Sequence, residues 1–164
     1  MSRLPTKNVN YTRFLNFRKD FTFCFLFLRK VFISALPKYY CVDNGLRQAV
    51  LIPGRDDDGI LFENAVFLQL LRNLPDGEKI CYYLGDKECD FVIQTETAVK
   101  ELIQVCWDMK DKETRDRELD GIREAASLTR CPNLTIVTRD QEEDVEDPKG
   151  TIHIVPAWKW FLGR

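Results

Sequence analysis

Two short apolar runs joined by a polar link commit this chain to a fold built around a sheet. Glu88-Cys89-Asp90-Phe91-Val92-Ile93-Gln94 and Leu102-Ile103-Gln104-Val105-Cys106 are rich in Val, Ile, Phe and Cys, with Thr, Glu and Lys between them. Side chains alternate along a strand, so Cys89, Phe91 and Ile93 are expected on one face and Glu88, Asp90 and Val92 on the other. On the second run, Gln104 and Cys106 share a face with Leu102.

The rest of the chain supplies elements to cover such a sheet. Tyr39 to Asp43 reads as a strand broken by Asn44-Gly45, and 46–51 as a short helix. The Gly- and Asp-rich stretch 53–59, opened by Pro53, is a loop; it lacks the ligand spacing of a calcium loop. Ile60 to Leu74 is a helix stopped by Pro75 and Gly77, with Glu63 on its apolar face among Phe67, Leu70 and Leu74. A carboxylate there needs a partner or a task, because burying it unpaired is costly. Lys79 to Leu84 pairs with the Glu88 run as an antiparallel hairpin across Gly85-Asp86-Lys87. Asp111 is the expected N-cap of a helix carrying a Glu113–Arg117 pair and a stripe of Leu119, Ile122, Ala125 and Ala126; its charge run reads as a solvated face. Leu134 to Thr138 and Thr151 to Val155 are strands around an acidic loop, and Ala157 to Leu162 closes the chain as a turn or short helix.

With 164 residues and a net charge of −2, one domain with a full core is expected, and a strongly basic nucleic-acid binder is not. The six Cys form no Cys-x-x-Cys pair and His153 is the single His, so zinc spacing is absent. Cys within apolar runs suits a reduced, cytoplasmic setting. Residues 1–36 stand apart from a domain over 37–164. Their apolar run, Phe21 to Leu28, is too short to span a bilayer and lacks a signal-peptide cleavage site. It reads as a buried strand or helix; a membrane-associating segment and a truncated or mistranslated start are the alternatives.

The polar residues of the strands define a candidate site. An acid on one strand, followed on the next by two polar or reactive side chains at i and i+2, is the skeleton of a metal-dependent nuclease site. There an Asp and a Glu bind Mg²⁺, and a Lys two residues after the Glu serves the attacking water. The elements run helix, three strands, helix, two strands, which implies an α/β fold with a mixed central sheet flanked by helices. With Glu63 on the first helix and Asp90 on the second strand, this order resembles the PD-(D/E)XK nuclease core. Tyr40-Cys41-Val42-Asp43-Asn44-Gly45-Leu46, Leu61-Phe62-Glu63-Asn64-Ala65-Val66-Phe67, Glu88-Cys89-Asp90-Phe91-Val92, Ile103-Gln104-Val105-Cys106 and Ile154-Val155-Pro156-Ala157-Trp158-Lys159-Trp160 narrow the resemblance. Together they are similar to the C-terminal domain of unknown function that follows the ATPase module in AAA-type ATP-binding proteins, over roughly residues 37 to 164.

The resemblance implies a nuclease-like fold and an upstream nucleotide-binding module. No Gly-x-x-x-x-Gly-Lys-Ser/Thr run occurs, so no ATPase activity is expected of this chain, which reads as the C-terminal domain alone. The catalytic Glu-x-Lys is replaced by Gln104 and Cys106. The expected site is therefore a remnant of Glu63, Asp90, Gln104 and Cys106, with Glu63 and Asp90 as its only, weak metal ligands and no cofactor. The expected function is a noncatalytic module that binds DNA or a protein partner, or regulates the AAA module, with no membrane partner. The alternative is a Mg²⁺-dependent nuclease whose lysine has migrated.

Overall fold

Alternating apolar strands and two amphipathic helices leave one economical arrangement, a sheet with a helix on each face. The computed structural model describes residues 25–28, 38–50 and 57–163. In order, the elements are β1 (Phe25–Leu28), β2 (Lys38–Cys41), α1 (Asn44–Val50), α2 (Asp58–Arg72), β3 (Lys79–Leu84), β4 (Glu88–Gln94), β5 (Val99–Cys106), α3 (Lys112–Thr129), β6 (Leu134–Thr138), β7 (Glu143–Val145), β8 (Ile152–Pro156) and α4 (Ala157–Leu162). Of the N-terminal apolar run, Phe25–Leu28 forms β1; the remainder of residues 1–36 lies outside the described residues, as does most of the 53–59 loop.

The central sheet has six strands in the order β3-β4-β5-β6-β8-β7. The β3-β4-β5 meander is antiparallel, β5-β6 and β6-β8 are parallel, and β7 closes the edge antiparallel to β8. The sheet is therefore mixed, as expected. A separate antiparallel pair, β1 and β2, lies beside it. The β7 strand was not legible: its sequence, Glu-Asp-Val, has little strand propensity. It forms because the outer edge of β8 offers free ladder groups, and because Asp144 comes opposite His153, with its Oδ1 2.7 Å from the ring Nδ1.

Two apolar clusters cover the two faces. Leu119, Ile122, Ala125 and Ala126 of α3 pack with Cys89, Val92, Leu102, Ile136 and Ile154. Phe62, Val66, Phe67 and Leu70 of α2, with Tyr40 and Trp160, pack with Tyr82, Phe91, Ile93, Ile103 and Val137. Asp111 caps α3 as expected, accepting from the Thr114 N–H at 2.8 Å. The expected Glu113–Arg117 pair gives way to Arg117 on Glu118, 2.7 Å away. Glu118 is buried, so it has more to gain from a counter-charge than exposed Glu113.

The facing of β4 differs from simple alternation. Cys81 is opposite Val92, but Tyr83 is opposite Cys89, so β4 carries one extra residue there. Asp90 and Phe91 together face Tyr82 in a β-bulge. As a result Phe91 and Ile93 share the α2 face with Glu88 and Asp90, while Val92 joins Cys89 beneath α3. Strict alternation had grouped Phe91 and Ile93 with Cys89, and Val92 with Asp90.

All five cysteines among the described residues are free and buried. Among the described residues, no helix is long and apolar enough to cross a membrane.

Candidate functional site

The site forms where β2, α2 and β4 meet. Asn64, buried on α2, holds β2 in place. Its Oδ1 accepts from the Cys41 N–H at 2.8 Å, and its Nδ2 donates to the Cys41 carbonyl at 2.9 Å and to Asn44 Oδ1 at 2.8 Å. The side-chain amide thus pairs with strand β2 as another strand would. With β2 held there, Lys38 and Tyr40, two residues apart and so on one face, point at Glu63, the neighbour of Asn64.

Three carboxylates surround the Lys38 ammonium. Nζ lies 3.0 Å from Glu63 Oε1, 2.9 Å from Asp90 Oδ1 and 2.5 Å from Glu88 Oε1. The Tyr40 hydroxyl donates to the same Glu63 Oε1 at 2.5 Å, and its ring stacks on Phe67 with centroids 4.2 Å apart. Burial pulls the Lys38 amine down, but Asp90, Glu63 and Glu88 outweigh it and hold the amine above its ordinary value. Burial, then Glu63, pushes the Tyr40 hydroxyl up. Burial and the neighbouring Glu63 also push Asp90 up, to about 7, against the pull of Lys38. Lys38 therefore stays charged, and Tyr40 stays a hydrogen-bond donor.

At Asp90 the β4–β5 ladder gives out. The last residues opposed are Phe91 and Ile103. Beyond them, side chains replace the ladder: the Asp90 N–H donates to Gln104 Oε1 at 3.1 Å, and the Val105 N–H donates to Asp90 Oδ2 at 3.0 Å. Gln104 Nε2 donates to Glu118 Oε2 on α3 at 2.6 Å. The Cys106 thiol donates to the Asp108 carbonyl at 3.3 Å. Burial, then Glu118, pushes the Cys106 thiol up to about 11, which leaves it neither a cation nor a ready nucleophile.

Of the four residues singled out from the sequence, the structure brings Glu63 and Asp90 together through Lys38. Gln104 meets Asp90 only at the backbone N–H, and with Cys106 it belongs to the α3 side. The β4 bulge separates them: it turns Asp90 toward α2, while β5, paired regularly with β6, keeps Gln104 and Cys106 with Leu102 beneath α3.

Lys38, Tyr40, Glu88 and Glu118 were not picked out from the sequence. Three had a local signal. Lys38 and Tyr40 lie at i and i+2 on a strand, and Glu118 shares its helical stripe with Ile122 and Ala125 at i+4 and i+7. Nothing local identified the partners.

A divalent ion is implied by the nuclease resemblance, and the described residues do not fit one. The oxygens that face the centre are already taken by Lys38, Tyr40 and the Val105 N–H. Among the described residues, no group of three or more His, Cys, Asp and Glu is arranged to hold a metal.

No family model matches the chain, and no solved structure matches it. It is 36% identical over 112 residues to an uncharacterized protein of Methanocaldococcus jannaschii, MJ1544. The match covers 63% of this chain and 25% of that protein, so the chain spans about a quarter of the relative's length.

Proposed function

We propose that this chain is a noncatalytic module with a PD-(D/E)XK nuclease-like core, that it acts by binding a protein partner, and that the partner class is the AAA-type ATPase module that precedes the domain its motifs resemble. The carrying observation is the Gln104 carboxamide. In a nuclease of this kind a carboxylate at that place binds the metal. Here the amide is spent at both ends, accepting from Asp90 and donating to Glu118. A carboxylate could not donate to Glu118, so the neighbourhood is built for glutamine. The order α2, β3, β4, β5, α3, β6, β8 within a mixed sheet supports the nuclease-like reading of the fold.

Charge favours protein over nucleic acid. Three carboxylates face one ammonium, and a phosphate backbone without a bridging metal would be repelled there. The segment similar to this chain makes up a quarter of the archaeal relative, which fits a module carried within a longer polypeptide.

One observation favours a second reading, a Mg²⁺-dependent nuclease with a migrated lysine: Lys38 Nζ is 2.9 Å from Asp90. Plasmid and single-stranded DNA incubated with the purified chain and Mg²⁺ or Mn²⁺ separate the two. The noncatalytic reading expects no cleavage above that of Asp90→Ala. Cleavage by the parent that is lost in both Asp90→Ala and Lys38→Ala would establish the nuclease instead.

A further inference from the structure

We propose that Lys38 is the resident cation of this site: its ammonium fills the place between Glu63, Glu88 and Asp90 and keeps divalent ions out. The inference deepens the noncatalytic reading and rests on it only for the comparison with a nuclease. Three features of the geometry carry it.

The ammonium touches all three carboxylates at 2.5–3.0 Å and presents three donors, one for each acid. It arrives from a different element than its partners: Lys38 is on β2, Glu63 on α2, Glu88 and Asp90 on β4. The cation is thus tethered, and its local concentration exceeds that of any free ion. The surrounding donors complete the arrangement, since Tyr40 also binds the Glu63 oxygen that faces Lys38, and the Val105 N–H takes the second oxygen of Asp90. Mg²⁺ requires oxygens at about 2.0–2.1 Å in near-octahedral array and gives up water reluctantly. To enter, it would have to displace the amine, and the amine cannot diffuse away.

The same contacts make Lys38 a latch. Because Asn64 fixes β2 against α2, docking of β2 and filling of the acidic site are one event. As they stand, Glu63, Glu88 and Asp90 are arranged about an ammonium and not about a metal; withdrawal of the amine would leave three carboxylates without their shared counter-charge, free to close on a hard divalent cation.

Binding of Mn²⁺ and of Tb³⁺, whose luminescence Tyr40 would sensitise, tests this without DNA. The parent and Lys38→Arg are expected to show no saturable binding that depends on Asp90. Lys38→Met is expected to bind at least about a hundredfold more tightly, because a fixed positive charge at contact distance has been removed. Saturable binding by the parent that disappears in Asp90→Asn overturns the proposal, as does a folded Lys38→Met that binds no better than the parent. Should Lys38→Met fail to fold, the parent decides by NMR of its lysine ammonium groups. A slowly exchanging ammonium signal unchanged by millimolar Mg²⁺ supports the resident cation, and its displacement by Mg²⁺ overturns it. DNA cleavage by the parent would end the noncatalytic reading, whereas these metal measurements decide the role of Lys38 alone.

Discussion

Gln104 and Glu118 are joined by a buried hydrogen bond of 2.6 Å between β5 and α3, in which the amide donates and the carboxylate accepts. The other end of the same amide accepts from the Asp90 N–H. One side chain therefore links the strand that carries Asp90 to the helix on the opposite face.

Restoring a glutamate at this place is consequently expected to destabilise the protein. Gln104→Glu sets two buried carboxylates against each other at hydrogen-bond distance. The expected loss is about 2–4 kcal/mol at neutral pH, the range for breaking a buried pair or stranding a buried polar group. Adding Glu118→Gln returns a donor to the pair and is expected to recover most of it. Urea unfolding of the single and double variants measures both; equal stability of parent and Gln104→Glu would contradict the arrangement.

Asp90 makes stability depend on pH in a direction unusual for a carboxylate. Burial and Glu63 raise it to about 7 in the folded chain, whereas an unfolded Asp titrates at about 4. Between those values the native state holds more protons than the unfolded state, so this group's contribution to stability falls as pH rises through the window. Lys38 acts in the alkaline range. Its raised value contributes stability that is fully present below its ordinary value and is lost as pH climbs toward the higher folded one. Asp90→Asn is expected to flatten the decline between about pH 4 and about pH 7. Denaturant midpoints of parent and variant across that range check it, and parallel slopes would show the group to be uninvolved.

Asn64→Ala is expected to release β2. It removes both bonds to the Cys41 backbone and the bond to Asn44, at a cost of about 2–4 kcal/mol if the exposed backbone groups find no water. Because Lys38 and Tyr40 ride on β2, the loosening should reach the acidic site. Hydrogen exchange at Cys41 reports it directly, and unchanged protection there would mean that β2 is held by other contacts.

Gly121 tests the seat of α3 on β4. Gly→Ala inside a helix ordinarily gains up to about 1 kcal/mol. A methyl at Gly121, however, would sit 2.4 Å from the Glu88 carbonyl oxygen, a backbone atom that cannot swing aside. Overpacking of this kind costs about 1–3 kcal/mol, so Gly121→Ala is expected to be net destabilising. Gly59→Ala, near the start of α2, meets nothing within 4 Å and serves as the control that should be neutral or mildly stabilising. A lower melting temperature for the first variant alone bears this out.

What the sequence by itself determined was whatever local pattern governs. Apolar patterning marked β3, β4 and β6 at their observed bounds and left Ala157 to Leu162 between a turn and the short helix it forms, Asp111 was readable as a cap, and the hairpin and mixed sheet followed from turn residues and element order. Glu63 was recognisable as an acid in need of a partner because a helix has a fixed period. The partner itself was not recognisable, since Lys38 is 25 residues away on a strand whose position is set by Asn64. Gln104 and Cys106 could be seen to share a face with Leu102, but not which helix that face meets. Only the tertiary structure decided the facing of Asp90, because one extra residue in β4 inverts the alternation on which any reading of a strand depends. The same inversion separates Asp90 from Gln104 and leaves the acids to a lysine. Local periodicity carries the elements, whereas a bulge and a contact between distant segments are settled by how those elements pack.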